Sequence, residues 1–201
     1  MLEPHPNLTS FINFANASER SRETVVKKIR LQSTAEYSPA TDYWKRMRDA
    51  TKRDRATTRD GAAVFATAAN ATEKKQSAFG EIAARWEGLL PRWADSHYQP
   101  PKAGIARLWG LDVSVSPRFI EAWPTGMRER TFVYFNQKTL SIETIDEVLR
   151  VIQLAYPGDD ATPALIDVRR NKVHTRLSAD VVDIDDRIAA LSEEFRMGWA
   201  A

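Results

Sequence analysis

The chain has 201 residues, 43% of them hydrophobic and 28% charged, with no cysteine and a net charge of +2. Such a length and balance suit a globular protein that buries about 70% of its extended surface without help from a metal or a cross-link. The lack of cysteine excludes disulfides, thiolate nucleophiles and sulfur-ligated zinc, and it fits a cytoplasmic protein.

No run approaches the roughly 18 apolar residues of a membrane span, and Met1 to Ser10, broken by Pro4 and Pro6, has no apolar core of a secretory signal. No membrane partner is expected. The charge is unevenly spread. Residues 1–60 hold 12 Lys and Arg against 8 Asp and Glu, whereas residues 178–201 hold 2 against 6. That asymmetry points to a basic surface near one end, or to the two ends docking on each other.

Taken in order, residues 1–18 read as irregular, with Phe11, Ile12 and Phe14 as anchors. A short helix is predicted over Glu19–Gln32, and Ser33–Ala40 reads as a break. Thr41 or Asp42 can cap the next helix, which carries Tyr43, Trp44, Met47 and Ala50 on one side. Lys45, Arg48, Lys52, Arg55 and Arg59 recur at spacings of 3, 4, 3 and 4, which sets five cations in one row if the helix continues. Asp60-Gly61 interrupts it, and an alanine-rich segment runs over Ala62–Ala71. Asn70 with Glu73 reads as a capping box. Phe79, Ile82, Ala83, Trp86, Leu89, Leu90 and Trp93 then form a heptad-like stripe, which serves an intramolecular contact or a homo-oligomer seam. Residues 41–94 thus make two or three antiparallel helices, and His97–Gly104 reads as a linker.

From Leu108 to Lys138, three β-branched and aromatic runs are cut by Ser116-Pro117 and Pro124-Thr125-Gly126, the pattern of antiparallel strands. Ser141 caps a helix lined by Ile145, Val148, Leu149, Ile152 and Tyr156 and ended by Pro157-Gly158. A fourth strand follows over Ala164–Arg169, and Asn171-Lys172 turns it back through Val173–Thr175. The last helix starts near Asp180, places Val181, Ile184, Ile188, Leu191 and Phe195 on its core side, and stops at Gly198. The fold class is α+β. An N-terminal helical region over residues 1–95 leads into a sheet region over residues 105–201, in one compact domain, with a small mixed sheet of four to five strands. The order from residue 72 is α-β-β-β-α-β-(β)-α, with the strand after the helix parallel to the one before it.

Asp42-Tyr43-Trp44-Lys45 with Arg48-Asp49-Ala50, Gly110-Leu111-Asp112-Val113, Val133-Tyr134-Phe135, and Asp167-Val168-Arg169-Arg170 with Lys172 resemble strings in a group of uncharacterised actinobacterial proteins of about this size. That resemblance brings no activity with it. The element order is also similar to the core of restriction-endonuclease-like enzymes, which hold a divalent metal on strand acids. The resemblance implies a nuclease site of Asp112, Glu121 and Lys138. Asn136, a neutral amide, stands where those enzymes place a carboxylate, and so brings no charge to a hard cation.

The row Lys45, Arg48, Lys52, Arg55 and Arg59 is the candidate binding site. A phosphate backbone laid along it would release counterions. The same row also suits a solvated helix face. Arg128 and Arg130, with Arg169, Arg170 and Lys172, offer a second basic set. His5, His97 and His174 lie too far apart for a histidine metal site, and no glycine-rich phosphate loop or nucleophile elbow occurs, so no cofactor or resident metal is implied. The expected function is a non-enzymatic interaction protein that holds a nucleic acid or an acidic protein. The alternatives are the divergent metal-dependent nuclease and an oligomeric structural or mobile-element accessory protein.

Overall fold

A computed structural model describes residues 3–34 and 42–201 of the chain. The helices are α1 (Leu8–Ala15), α2 (Glu19–Thr34), α3 (Lys45–Ala56), α4 (Ala62–Ala69), α5 (Glu73–Glu87), α6 (Ile142–Leu154) and α7 (Val181–Ala200). The strands are β1 (His97–Gln99), β2 (Gly104–Leu108), β3 (Leu111–Val115), β4 (Phe119–Ala122), β5 (Arg128–Tyr134), β6 (Thr162–Asp167) and β7 (Lys172–His174). The fold is α+β, with a mixed sheet ordered β1-β4-β5-β6-β7 beside a separate β2–β3 hairpin.

The centre of the sheet is buried on both faces because its strands carry apolar residues on both sides. Along β6 and along β5 with the residue after it, Phe132, Tyr134 and Leu165 point to one core, and Val133, Phe135 and Ile166 to the other. The first core takes in α1, α2, α6, α7 and the hairpin, and the second takes in α3, α4 and α5. β5 and β6 are parallel, joined by the α6 crossover, as the order of elements requires. Every other pair in the sheet is antiparallel.

Capping sets the helix starts. Ser141 accepts a hydrogen bond from the Thr144 N–H at 3.1 Å, as predicted, and Asp180 accepts one from Val182 at 2.8 Å, whereas Asp42 does not cap α3, which follows Trp44 with no side-chain cap. Asn70 instead closes α4, and Thr72 precedes α5. Thr41, the alternative cap for α3, and most of the break over Ser33–Ala40 lie outside the described residues.

Four expectations need correction. Residues 8–15 are helical rather than irregular, because Asn7 caps the Ser10 N–H at 2.9 Å and Leu8, Phe11, Ile12 and Phe14 are all buried. The stretch read as a linker forms β1, paired to β4, and the start of β2. The strand at 111–115 leaves the main sheet to pair with β2 around Trp109-Gly110, whose φ values of 41° and 86° give a turn that suits a two-residue hairpin. Gly198 does not stop α7. The helix continues to Ala200, and Gly198 admits Val26 of α2 at 3.5 Å from where a Cβ would stand.

Two close approaches fix the outer elements. A Cβ on Gly104 would lie 2.7 Å from the Ala155 carbonyl and the Tyr156 ring, so only glycine lets β2 meet the end of α6. The stripe from Phe79 to Trp93 packs within the chain against α3, α4 and the sheet.

Glu147 of α6 is 4% exposed and sits 3.4 Å from Arg187 of α7. Burial pushes its carboxyl up to about 7, more than Arg187 and Arg22 pull it down. An acid raised in the folded state favours folding at low pH and loses that advantage as pH climbs from its unfolded value towards 7. We therefore expect Glu147→Gln to leave stability nearly unchanged at pH 4 and to raise it by on the order of 2 kcal/mol at pH 8, read from urea unfolding. An equal change at both pH values would show that Glu147 is ionised alike in both states.

Candidate functional site

Helix α3 sets the charges in place. Met47, Ala50, Thr51 and Asp54 face the core, and with 3.6 residues per turn Arg48 and Arg55 fall on the border of that face rather than opposite it. The five cations of the row consequently part company. Arg55 is 1% exposed and its Nε donates to Oε1 of Glu121 on β4 at 2.8 Å. Its guanidinium also stacks 4.7 Å from the Trp93 ring centre. Arg59 lies beyond the end of the helix at a φ of 63°. Its guanidinium turns inward to the Ser96 carbonyl at 2.7 Å, the Trp93 carbonyl at 3.0 Å and Glu121 Oε2 at 3.2 Å. Ser96 Oγ donates to the same Oε2 at 2.6 Å. These contacts hold Arg59 in a conformation that non-glycine residues seldom adopt.

The rest of the network is equally enclosed. Asp54, fully buried, accepts from the Gly61 N–H at 2.6 Å and from Trp86 Nε1 at 3.1 Å. Gly61 sits at a φ of 84°, where the chain turns into α4. Arg92 pairs with Glu129 at 2.5 Å. Burial raises the Glu129 carboxyl, with the charge of Glu121 adding to the rise and Arg92 opposing it. Arg55 and Arg59 therefore join α3 to the sheet and are not part of a free basic surface.

The other three cations remain outside. Lys52 is exposed. Arg48 pairs with Asp42, and Lys45 with Asp49 at 2.6 Å. Two exposed cations that the spacing passed over, Arg46 and Arg53, stand with Lys52 on the outer side of α3. Among the described residues none of these three side chains forms an ion pair or hydrogen bond. The signal for them is present in the sequence: Arg46 and Arg53, seven apart, lie on one side of the helix, at the edge of the face that carries Met47 and Ala50.

Beside the N-terminal end of α3 opens a polar cleft of about 460 Å³, bordered by Lys45, Arg48, the first turn of α1 and the β3–β4 link. Arg118 lies in it. Burial, helped by the charge of Arg48, pushes its guanidinium down to about 10, while Asp49 and Asp42 pull the other way.

The remaining candidates do not assemble. Glu121 faces α3 across the main sheet, Asp112 is on the hairpin paired with Arg107, and Lys138 donates to the Asn16 carbonyl. Asn136 accepts from Trp44 Nε1 at 3.0 Å. Among the described residues no group of three or more His, Cys, Asp or Glu is placed to hold a metal. In the second basic set, Arg128 and Arg130 pair with Asp160 and Asp159, Arg169 with Glu81, and Arg170 with Asp167. Trp109 is 49% exposed at the hairpin turn, whereas Trp123 packs on the second core. Among the described residues no helix is long and apolar enough to cross a membrane. Comparison with family models, curated proteins and solved structures finds no match to this chain.

Removing one partner of a buried ion pair strands the other's charge, at a cost of about 3–5 kcal/mol. Glu121→Leu should lower the unfolding free energy by that amount in urea titrations. Arg55→Met together with Glu121→Leu should recover a large part of it, because both charges then leave the core. A single variant within about 0.5 kcal/mol of the parent would mean that the pair is solvated.

Proposed function

We propose that the protein acts by binding rather than by catalysis, and that a nucleic acid is the partner of its α3 surface. The observation that carries this reading is the set Arg46, Lys52 and Arg53. These are three exposed cations within two helical turns, without internal partners among the described residues. Lys45 and Arg48 extend the positive surface towards the cleft. Cations on one helix flank can follow a phosphate backbone, and the released counterions supply the free energy. No aromatic side chain interleaves them, so the surface favours backbone contact over base stacking and predicts little sequence preference. Arg55 and Arg59, bound to Glu121, stay out of the interface. The contribution of α3 therefore comes from fewer cations than the sequence row suggests.

Labelled single- and double-stranded oligonucleotides, titrated over a range of salt, test the reading. The parent should bind at low salt and release steeply as salt rises. Arg46→Glu, Lys52→Glu and Arg53→Glu should each lower the slope of log affinity against log salt by about 0.7–0.9, and the three together should abolish binding. Unchanged binding in the triple variant, or no binding by the parent at low salt, would reject the α3 surface as a nucleic-acid interface.

A further inference from the structure

Arg118 is unlike the other enclosed arginines. Arg55, Arg130 and Arg169 each meet a carboxylate. Among the described residues the Arg118 side chain forms no ion pair. Its Nε is shut off from solvent with no hydrogen-bond partner among the described residues, and its guanidinium carbon lies 6.0 Å from the centre of the Phe132 ring. Its backbone is fixed, since its N–H donates to the Thr131 carbonyl at 2.7 Å at the start of β4. A cation that is desolvated and unpaired lowers stability. Asp49 and Asp42 attract it from the rim without contacting it, and an anion entering the cleft would meet it directly.

We propose that this cleft is a binding site for a phosphoryl group, with Arg118 as its anchor. Lys45, Arg48 and Arg118 stand on its wall against Asp42 and Asp49, three positive charges to two negative, a net +1. Asp42 and Asp49 hold Arg48 and Lys45 at the rim, and both pairs are open to water. Ser10, Ser114 and Ser116 add hydroxyl donors on the same wall. A lining with several cations and hydroxyls offers more donors than the two oxygens of one carboxylate need. They suit a tetrahedral group that presents three oxygens in different directions. The volume of about 460 Å³ holds a phosphate with part of the molecule that bears it. The group can belong to a small phosphorylated molecule or to the phosphorylated end of a nucleic-acid strand. The site goes beyond the α3 surface proposed above and is separable from it, because Arg118 does not lie on α3.

Calorimetric titration of the full chain with inorganic phosphate, against chloride at equal ionic strength, tests the site. The parent should show phosphate-specific binding. Arg118→Gln should weaken it about tenfold or more, while its melting temperature without phosphate stays level or rises, since the variant removes an unpaired enclosed charge. Ser116→Ala, at an exposed position, should weaken binding by a smaller factor without touching the fold. No heat above the chloride control, or an Arg118→Gln protein that melts lower yet binds phosphate as the parent does, would overturn the proposal. A 5′-phosphorylated oligonucleotide that binds tighter than its 5′-hydroxyl counterpart, with the gain lost in Arg118→Gln, would identify a strand end as the source. Equal affinities alongside binding of inorganic phosphate would identify a small molecule. Phosphate binding that survives Arg46→Glu, Lys52→Glu and Arg53→Glu would separate this site from the α3 surface.

Discussion

The contact between Arg55 and Glu121 fixes the roll of α3 against the sheet. The two residues are 66 positions apart in the chain, and both are removed from water. A desolvated pair of this kind adds little net stability, because the loss of hydration offsets most of the attraction. What it does impose is geometry. Arginine suits the place better than lysine, since its planar guanidinium can lie on Trp93 while its Nε meets the carboxylate. Once Arg55 is committed inward, Arg48, two turns earlier on the same side, must come to the edge of the cleft. Lys52 and Arg53 are left to solvent.

The same carboxylate organises the chain beyond the helix. Glu121 also takes Arg59 and Ser96, so the links on either side of α4 and α5 are drawn to one point on β4. Asp54 completes the arrangement by closing the turn into α4 and holding Trp86. The ends of the α3–α5 layer are thus set by charge, and the space between them is filled by Phe79, Ile82, Trp86 and Trp93. A cluster of four charges and a serine at a core edge tolerates few other arrangements, because any unpaired member would be costly.

Elements with a one-sided apolar pattern are legible in the amino-acid order alone. Helix α6 with its Ser141 cap, the core side of α7 from Ile184 to Phe195 and the parallel crossover follow from periodicity and turn residues, whereas Val181, placed on that core side, is exposed. Three kinds of feature do not. Helix α1 is only eight residues long and follows two prolines, so its periodicity is brief. Strand β1 has three residues, and its identity rests on pairing with β4 rather than on its own composition. The basic row is visible as a spacing, but spacing does not say which side of a helix is buried. That depends on Glu121, whose role as a partner is a fact of tertiary structure. Arg118, alone on a short strand start, belongs to no pattern in the sequence.

Exposure decides which cations are available to a ligand. Arg55, 1% exposed, has no cheap alternative to Glu121. The Arg48–Asp42 and Lys45–Asp49 pairs keep side-chain exposures of 19% and 24%, and 38% and 60%. Pairs so open to water are worth about 0–1 kcal/mol, so an incoming anion can displace the aspartates at little cost. Among the described residues the Arg118 side chain has no ion pair to give up. The gradient therefore runs along one side of α3. It starts from a cation locked into the core, passes through two held at the rim, and ends at Arg118, held by the fold with no carboxylate in contact among the described residues. A ligand that supplies negative oxygens to that end gains the attraction of Arg48 and Arg118 beside Lys45, and the locked pair keeps the wall against which it binds in place.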